Sequence, residues 1–111
     1  MKPETYNFIM QVFELARLIP EGRVTTYGAI ARALGSAKSA RLVGTAMNHS
    51  HDPIYKVPAH RVVNGSGMLT GKFHFADPDQ MQRLLEAEGI IIKDNQVQSF
   101  KQLFWDPLTE L

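Results

Sequence analysis

The strongest constraint on the fold is the close spacing of helix-breaking and helix-capping residues in the first half of the chain. Pro20-Glu21-Gly22, Thr25-Thr26 and Gly35-Ser36 cut residues 1–48 into three short apolar-periodic runs. In the first, Phe8, Val12, Leu15 and Ile19 recur at helical spacing and define one face of an amphipathic helix. Pro3 suits its first turn and Pro20-Glu21-Gly22 ends it. Either Thr25 or Thr26 can cap a second helix that carries Ile30, Ala31 and Leu34 inward, with Gly35 as its left-handed stop. Ser36 can cap a third, whose buried stripe is Ala40, Val43, Gly44 and Met47. Two short capped helices joined by a tight glycine turn read as a helix-turn-helix.

Beyond residue 48 the signals are smaller. Residues 49–61 are irregular. Val62-Val63, Asn64-Gly65-Ser66-Gly67 and Met68-Leu69 together predict a hairpin. Asp77-Pro78-Asp79-Gln80 supplies an N-cap, a first-turn proline and a capping-box glutamine for a helix burying Met81, Leu84 and Leu85 and stopping at Gly89. Ile90-Ile91-Ile92 and Val97, around Asp94-Asn95, predict a second hairpin, and Ser99 to Trp105 a last short helix before Asp106-Pro107. The expected fold is mainly α with small β hairpins, similar to a winged helix-turn-helix, in one domain over residues 1–111.

The chain has no cysteine, which excludes disulfides, thiolate catalysis and zinc sites with cysteine ligands, and matches a reducing compartment. No apolar run approaches the ~18–20 residues of a membrane span. Met1 to Asn7 lack the layout of a signal peptide, so a cytoplasmic location is expected. The net charge of +1 conceals an asymmetry. Between Gly22 and Ala76 lie Arg23, Arg32, Lys38, Arg41, Lys56, Arg61 and Lys72 against Asp52 alone, a balance of +6, while the remainder sums to −5. A basic middle between acidic ends is the footprint expected of a nucleic-acid face.

Val57-Pro58-Ala59-His60-Arg61-Val62-Val63 carries the most specific signal. Pro-x-His-Arg-Val resembles the active-site signature of the O6-alkylguanine-DNA alkyltransferases, in which x is the alkyl-accepting cysteine. Ile19-Pro20-x-Gly22, Thr26-Tyr27-Gly28, Ala40-Arg41-x-Val43-Gly44-x-Ala46-Met47 and Leu84-Leu85-x-x-Glu88-Gly89 match the same family in order, from about Phe8 to Gly89. Position x here is Ala59, and a methyl group is no nucleophile. The N-terminal domain that many alkyltransferases carry is expected to be missing, because residue 1 stands almost at the first helix of the shared part. With the missing cysteine, the short chain and the Trp105-Asp106-Pro107 tail, the chain resembles the alkyltransferase-like proteins.

That resemblance implies a non-enzymatic sensor that binds and flips O6-alkylguanine in double-stranded DNA and flags it for nucleotide excision repair proteins. It implies no cofactor and no metal, no membrane partner and a monomeric state. By the same resemblance Arg41 is the finger that fills the gap left by the extruded nucleotide, a role suited to a planar, permanently charged guanidinium. Tyr27 crowds the phosphate beside the target and helps rotate it out, at a cost that is lower for a poorly paired base. Thr26, Gly28, Ala40, Gly44 and Thr45 complete the expected DNA contact, Thr45 standing where the family often has glycine.

Met47, Pro58, Ala59, Val62, Lys72 and Trp105 are expected around the lesion. Lys72, thirteen residues after Ala59, is placed to read the adducted base edge. Trp105 either lids the pocket or closes the core. His60 and Glu88 correspond to the enzymes' proton relay, without a thiol to activate. Their expected role is a hydrogen-bond network holding residues 58–62, with Arg61 as an ion-pair partner. His49-x-His51 with His60 or His74 imitates a metal site in spacing, but the spacing is a weak signal and scattered surface histidines are the favoured reading. A sequence-specific helix-turn-helix regulator is the alternative reading, since residues 25–48 would suffice for it.

Overall fold

The computed structural model describes residues 2–36 and 39–111; Lys38, counted in the basic stretch, lies outside them. Helix α1 (Pro3–Ala16) starts with proline in its first turn, where a missing N–H costs nothing. Its buried face is Ile9, Val12, Phe13, Leu15 and Ala16, with Ile19 buried just beyond its end. Phe8, expected inward, is only half-buried. The face is rotated so that Phe13 takes the core position, its ring tilted against that of Tyr55 at 4.9 Å between centroids.

Strand β1 (Thr25–Thr26) runs directly into α2 (Tyr27–Ala33). Thr26 is the cap: its hydroxyl accepts from the Ala29 N–H at 3.0 Å. Ile30 and Ala31 are buried, whereas Leu34 is half-buried. Gly35 sits at φ +76° and lets the Ser36 N–H turn back to the Ala31 carbonyl at 2.9 Å, which closes the helix. Helix α3 (Ala40–Asn48) begins later than Ser36 capping would allow. The Ser36 hydroxyl is engaged with that of Ser39, and neither side chain caps the helix. Val43, Ala46 and Met47 form the buried stripe, with Ala40 and Gly44 at its partly open edge. α3 packs against both α1 and α2.

The expected hairpin over 62–69 is not formed. Strand β2 (Val62–Val63) pairs in parallel with β1, Thr25 opposite Val62 and Thr26 opposite Val63. Both valines are at most 1% exposed, and a strand buried on two sides suits a parallel partner better than a half-solvated hairpin. The Asn64 side chain accepts from the Ser66 and Met68 N–H groups and closes the following turn, while Met68 bridges to Gln96.

Helix α4 (Gln80–Ala87) starts after, not at, the predicted cap: Asp77 accepts from the Asp79 N–H and completes a separate turn. Met81 and Leu85 are buried, but Leu84 is 37% exposed. Gly89, at φ +86°, ends the helix as expected. Strands β3 (Ile92–Lys93) and β4 (Gln96–Val97) form the predicted antiparallel hairpin, with Asp94 and Asn95 both at positive φ. The tail holds two helices instead of one, α5 (Phe100–Leu103) and α6 (Pro107–Glu110). Asp106 caps α6 through the Leu108 N–H at 3.0 Å.

Two apolar clusters meet at the β1–β2 ladder. Helices α1 to α3 with Ala59, Val62 and Trp105 make one, and Val24, Val63, Leu69, Met81, Leu85, Ile90 and Val97 make the other. The mainly helical fold with small strand pairs is the architecture expected from the sequence.

Candidate nucleic-acid interface

The parallel ladder determines what meets what. Tyr27 follows β1, and Asn64 and Gly65 follow β2, so these residues gather at one end of it. Gly22 and the Ala59–Arg61 turn precede the two strands and gather at the other.

At the first end, a groove of about 530 Å³ runs between α3 and the 70–74 segment, lined by Tyr27, Ala40, Arg41, Gly44, Thr45, Asn48, Thr70, Gly71 and His74. Five of the seven residues expected at DNA therefore share one concavity. Thr26 and Gly28 lie on the other side of Tyr27, in a second recess of about 490 Å³ with Arg32, Asn64, Gly65 and Phe100. The tyrosine ring is the partition between them. Its hydroxyl lies so close to Gly71 that a Cβ there would approach it to 3.1 Å, tighter than ordinary contact. Glycine at position 71 thus lets the loop pass the Tyr27 hydroxyl.

Arg41 is exposed in the first turn of α3. Among the described residues, neither Arg41 nor Arg32 has an acidic partner, whereas Arg23 pairs with Glu110 and Arg61 with Glu88. The basic stretch is thus divided: two arginines hold the fold together, and two keep their charge for the groove walls. Between the larger groove residues α3 presents two small ones, Ala40 and Gly44, and a Cβ at Gly44 would meet nothing within 4 Å.

At the other end of the ladder Glu88 is a hub. Its carboxylate accepts from the Gly22 N–H at 2.7 Å, from Arg61 Nε at 3.0–3.1 Å and from Arg61 Nη2 at 2.9 Å, and it holds His60 Nε2. Arg61 Nη1 also donates to the Ile19 carbonyl at 2.9 Å, tying the turn to the end of α1. Burial pushes the Glu88 carboxyl upward, but the Arg61 guanidinium, the Gly22 N–H and His60 more than offset it, and the net shift is downward. Burial lowers the His60 pKa against the opposing pull of Glu88, so its imidazole is neutral at pH 7.

A cleft of about 280 Å³ opens beside this hub. Ala59 and His60 line it with Ser50, His51, Lys56, Gln80 and others. His74 lines both this cleft and the groove, so the two concavities are neighbours at that side chain. Of the six residues expected around a lesion, Ala59 alone lines the cleft. Met47, Val62 and Trp105 are 5%, 1% and 3% exposed and belong to the core behind it. Met47 falls on the same inward stripe as Val43 and Ala46. Trp105 is buried in the core beside α1 to α3, and its backbone N–H donates to the Val24 carbonyl at 2.7 Å. Pro58 is half-buried and outside the lining, and the Lys72 ammonium lies 5.2 Å over the Phe73 ring.

Lys56 and Gln80 were not singled out as site residues by the sequence, and His74 only within the metal-like histidine spacing. The only hint was the proximity of Lys56 and His74 to the motif in a basic stretch. Among the described residues, no three His, Asp or Glu side chains are gathered to hold a metal ion. No helix among them is long and apolar enough to cross a membrane.

Comparison with known proteins gives the family and the fold. The profile of the "6-O-methylguanine DNA methyltransferase, DNA binding domain" matches residues 7–90. Alkyltransferase-like protein 1 of Schizosaccharomyces pombe is 36% identical over 105 residues, covering 91% of this chain and 96% of that protein. A DNA base-flipping protein of Vibrio parahaemolyticus is 35% identical, with 91% and 98% covered. Among solved structures, the S. pombe alkyltransferase-like protein in complex with damaged DNA containing O6-carboxymethylguanine superposes with a TM-score of 0.78 at 34% identity, over 95% of this chain and 98% of that one. A Mycobacterium tuberculosis methyltransferase bound to DNA gives 0.62 at 36% identity, over 74% of this chain but 49% of that one. The chain belongs to the family of the 6-O-methylguanine DNA methyltransferase DNA-binding domain, as an alkyltransferase-like, cysteine-less member.

Proposed function

We propose that this protein is a non-enzymatic sensor of O6-alkylguanine in double-stranded DNA. It flips the lesion out of the helix, holds it without transferring the alkyl group, and flags it for nucleotide excision repair. The observation that carries this reading is the juxtaposition of a DNA-sized groove and a base-sized cleft, neighbours at His74, with the methyl of Ala59 on the cleft wall where the family's signature places a sulfur.

In this account the duplex lies along the groove with α3 in the minor groove, where Ala40 and Gly44 permit close approach. Tyr27 crowds the backbone beside the target, and Arg41 enters the stack and donates to the orphaned base. The extruded guanine passes His74 and comes to rest against Ala59. The hub around Glu88 keeps the 58–62 turn rigid but has no nucleophile to serve: a neutral imidazole beside a methyl can abstract nothing useful. Binding is therefore reversible, and a second system must remove the lesion. The protein acts as a single domain, as a monomer, in the cytoplasm, without metal or cofactor.

The test is a pair of duplexes identical except for one guanine or one O6-methylguanine. Tighter binding to the lesion duplex at a fixed salt concentration is expected, because phosphate contacts contribute equally to both and only the cleft distinguishes them. Equal affinities would reject the sensor in favour of a sequence-reading helix-turn-helix protein.

A further inference from the structure

Tyr27 has a concavity on each side, and only the one with Arg41 has a role so far. The other, the recess of about 490 Å³, shares Tyr27 and Ala40 with the groove, so a strand running past the tyrosine can continue into it. Part of its wall is made by Phe100 and Phe104, half-buried rings 5.8 Å apart between centroids. Both lie beyond residues 7–90, the span matched by the family profile. Among the described residues no carboxylate lines this recess, and Arg32 is its one charged side chain.

Arg32 is exposed in the last turn of α2, yet its guanidinium lies back over the first turn: a Cβ at Gly28 would stand 3.3 Å from Nη1. Glycine at position 28 thus leaves room for the charge next to Tyr27. Asn64 enters from the end of β2. Its Oδ1 accepts from the Ser66 and Met68 N–H groups at 3.0 and 2.8 Å, so the turn uses the acceptor and leaves the NH₂ as a donor. The Thr26 hydroxyl is already engaged as the helix cap. A guanidinium and an amide donor beside apolar rings complement a sugar–phosphate unit, an anionic oxygen group attached to an apolar ring.

We propose that this recess is a second DNA subsite, which holds a backbone phosphodiester neighbouring the one that Tyr27 crowds, with Arg32 and the Asn64 amide as its donors. This rests on reading the groove as the seat of the duplex. The subsite reads no base; it anchors the strand on one side of Tyr27 while the target nucleotide is turned on the other.

The experiment uses methylphosphonates, which remove the charge of a phosphate and keep its shape. One is placed at each phosphate flanking the target in turn, on either strand, in duplexes carrying guanine or O6-methylguanine. Binding to the full chain is followed by fluorescence anisotropy over a range of salt concentrations. One position is expected at which the substitution weakens the wild type about fivefold with either base, the range of a charge-assisted bond partly screened by solvent. Arg32→Ala should weaken the unmodified duplexes by a similar factor, reduce the salt slope by about one, and be indifferent to the methylphosphonate at that position. Asn64→Asp keeps the acceptor for Ser66 and Met68 and should reverse the preference there, favouring the uncharged linkage. Lys101→Ala makes the same change of charge at an exposed residue outside the lining and should keep the wild-type pattern. An Arg32→Ala protein as sensitive as the wild type at every phosphate overturns the subsite. Equal losses in Arg32→Ala and Lys101→Ala overturn it too, because the charge then acts only through the overall field. In either case a wild-type preference for O6-methylguanine leaves the lesion reading standing. Equal wild-type affinity for the two bases overturns that reading, and the guanine duplexes alone then decide on the subsite.

Discussion

At the scale of the residue, Ala59 matters through what surrounds it. A methyl group on the cleft wall would mean little on a disordered turn. Here the next two residues, His60 and Arg61, are both fastened to Glu88, which is itself fastened to the Gly22 N–H. The apparatus that would orient a reactive group is intact around an unreactive one. Removing Glu88 should therefore damage structure before chemistry. Glu88→Ala leaves the Arg61 guanidinium partly buried without its partner and should cost about 3 kcal/mol of stability, measurable by urea denaturation. A loss below about 0.5 kcal/mol, ordinary for a surface substitution, would contradict the hub.

The same residues set a pH dependence. Glu88 has a folded pKa below its unfolded value, so its contribution is present above the unfolded pKa and is lost as pH falls through the folded one. His60 is also lowered, and it binds a proton more readily in the unfolded chain. Stability should accordingly begin to fall as pH drops below the ordinary histidine value of 6.5 and fall further through the carboxylate range. Thermal melts across that interval check it, and a melting temperature that rises on acidification would refute it. Arg41 belongs to this scale too. Arg41→Ala should weaken binding to an O6-methylguanine duplex by about tenfold or more, as expected of a buried interfacial arginine. A change no larger than that for unmodified DNA would reduce the residue to a phosphate contact.

At the scale of the element, short helices stand or fall by their ends. α2 has only seven residues, too few to persist by propensity, and depends on the Thr26 cap and on packing against α3. Thr26→Ala should cost about 1 kcal/mol and loosen Tyr27, which begins the helix. Hydrogen exchange at the Ala29 amide reports this directly, and unchanged protection would contradict the cap.

The elements also show what was legible in the sequence. The helix stops at Gly35 and Gly89 and the Asp94-Asn95 turn were readable because each needs a special backbone conformation that few residues supply. The β1–β2 pair was not, since a two-residue parallel contact across 37 positions leaves no local period. Asp106-Pro107 was read as the end of one helix, although the same Asp-Pro signal at 77–78 was read as a beginning. In the structure it starts α6, with Asp106 as its cap.

At the scale of the whole molecule, the +6 of the middle segment becomes two separate devices. Arg23 and Arg61 are used internally against acids from the C-terminal third, while Arg32 and Arg41 border the concavities around Tyr27. The α2–α3 wall of the groove, Tyr27 and Ala40 to Thr45, was legible because it lies in one short stretch of sequence, whereas the opposite wall, Thr70, Gly71 and His74, was not. The cleft was legible only at Ala59 and His60. Its other walls come from residues 50–57, 74–76 and α4, brought together by tertiary packing, and the expected walls Met47, Val62 and Trp105 were needed for the core instead. In the proposed function, recognition is separated from reaction: the groove and the cleft are present, and position 59 carries a methyl where the family's signature has a sulfur.

That separation is tested most directly by the fate of the alkyl group. The protein is incubated in excess with an O6-methylguanine duplex until binding is complete. The DNA is then released and digested for nucleoside analysis, and the intact protein is weighed by mass spectrometry. The account predicts that all of the O6-methylguanine is recovered and the protein mass is unchanged. Disappearance of the methyl from the DNA, matched by a methyl gained on the protein, would contradict it.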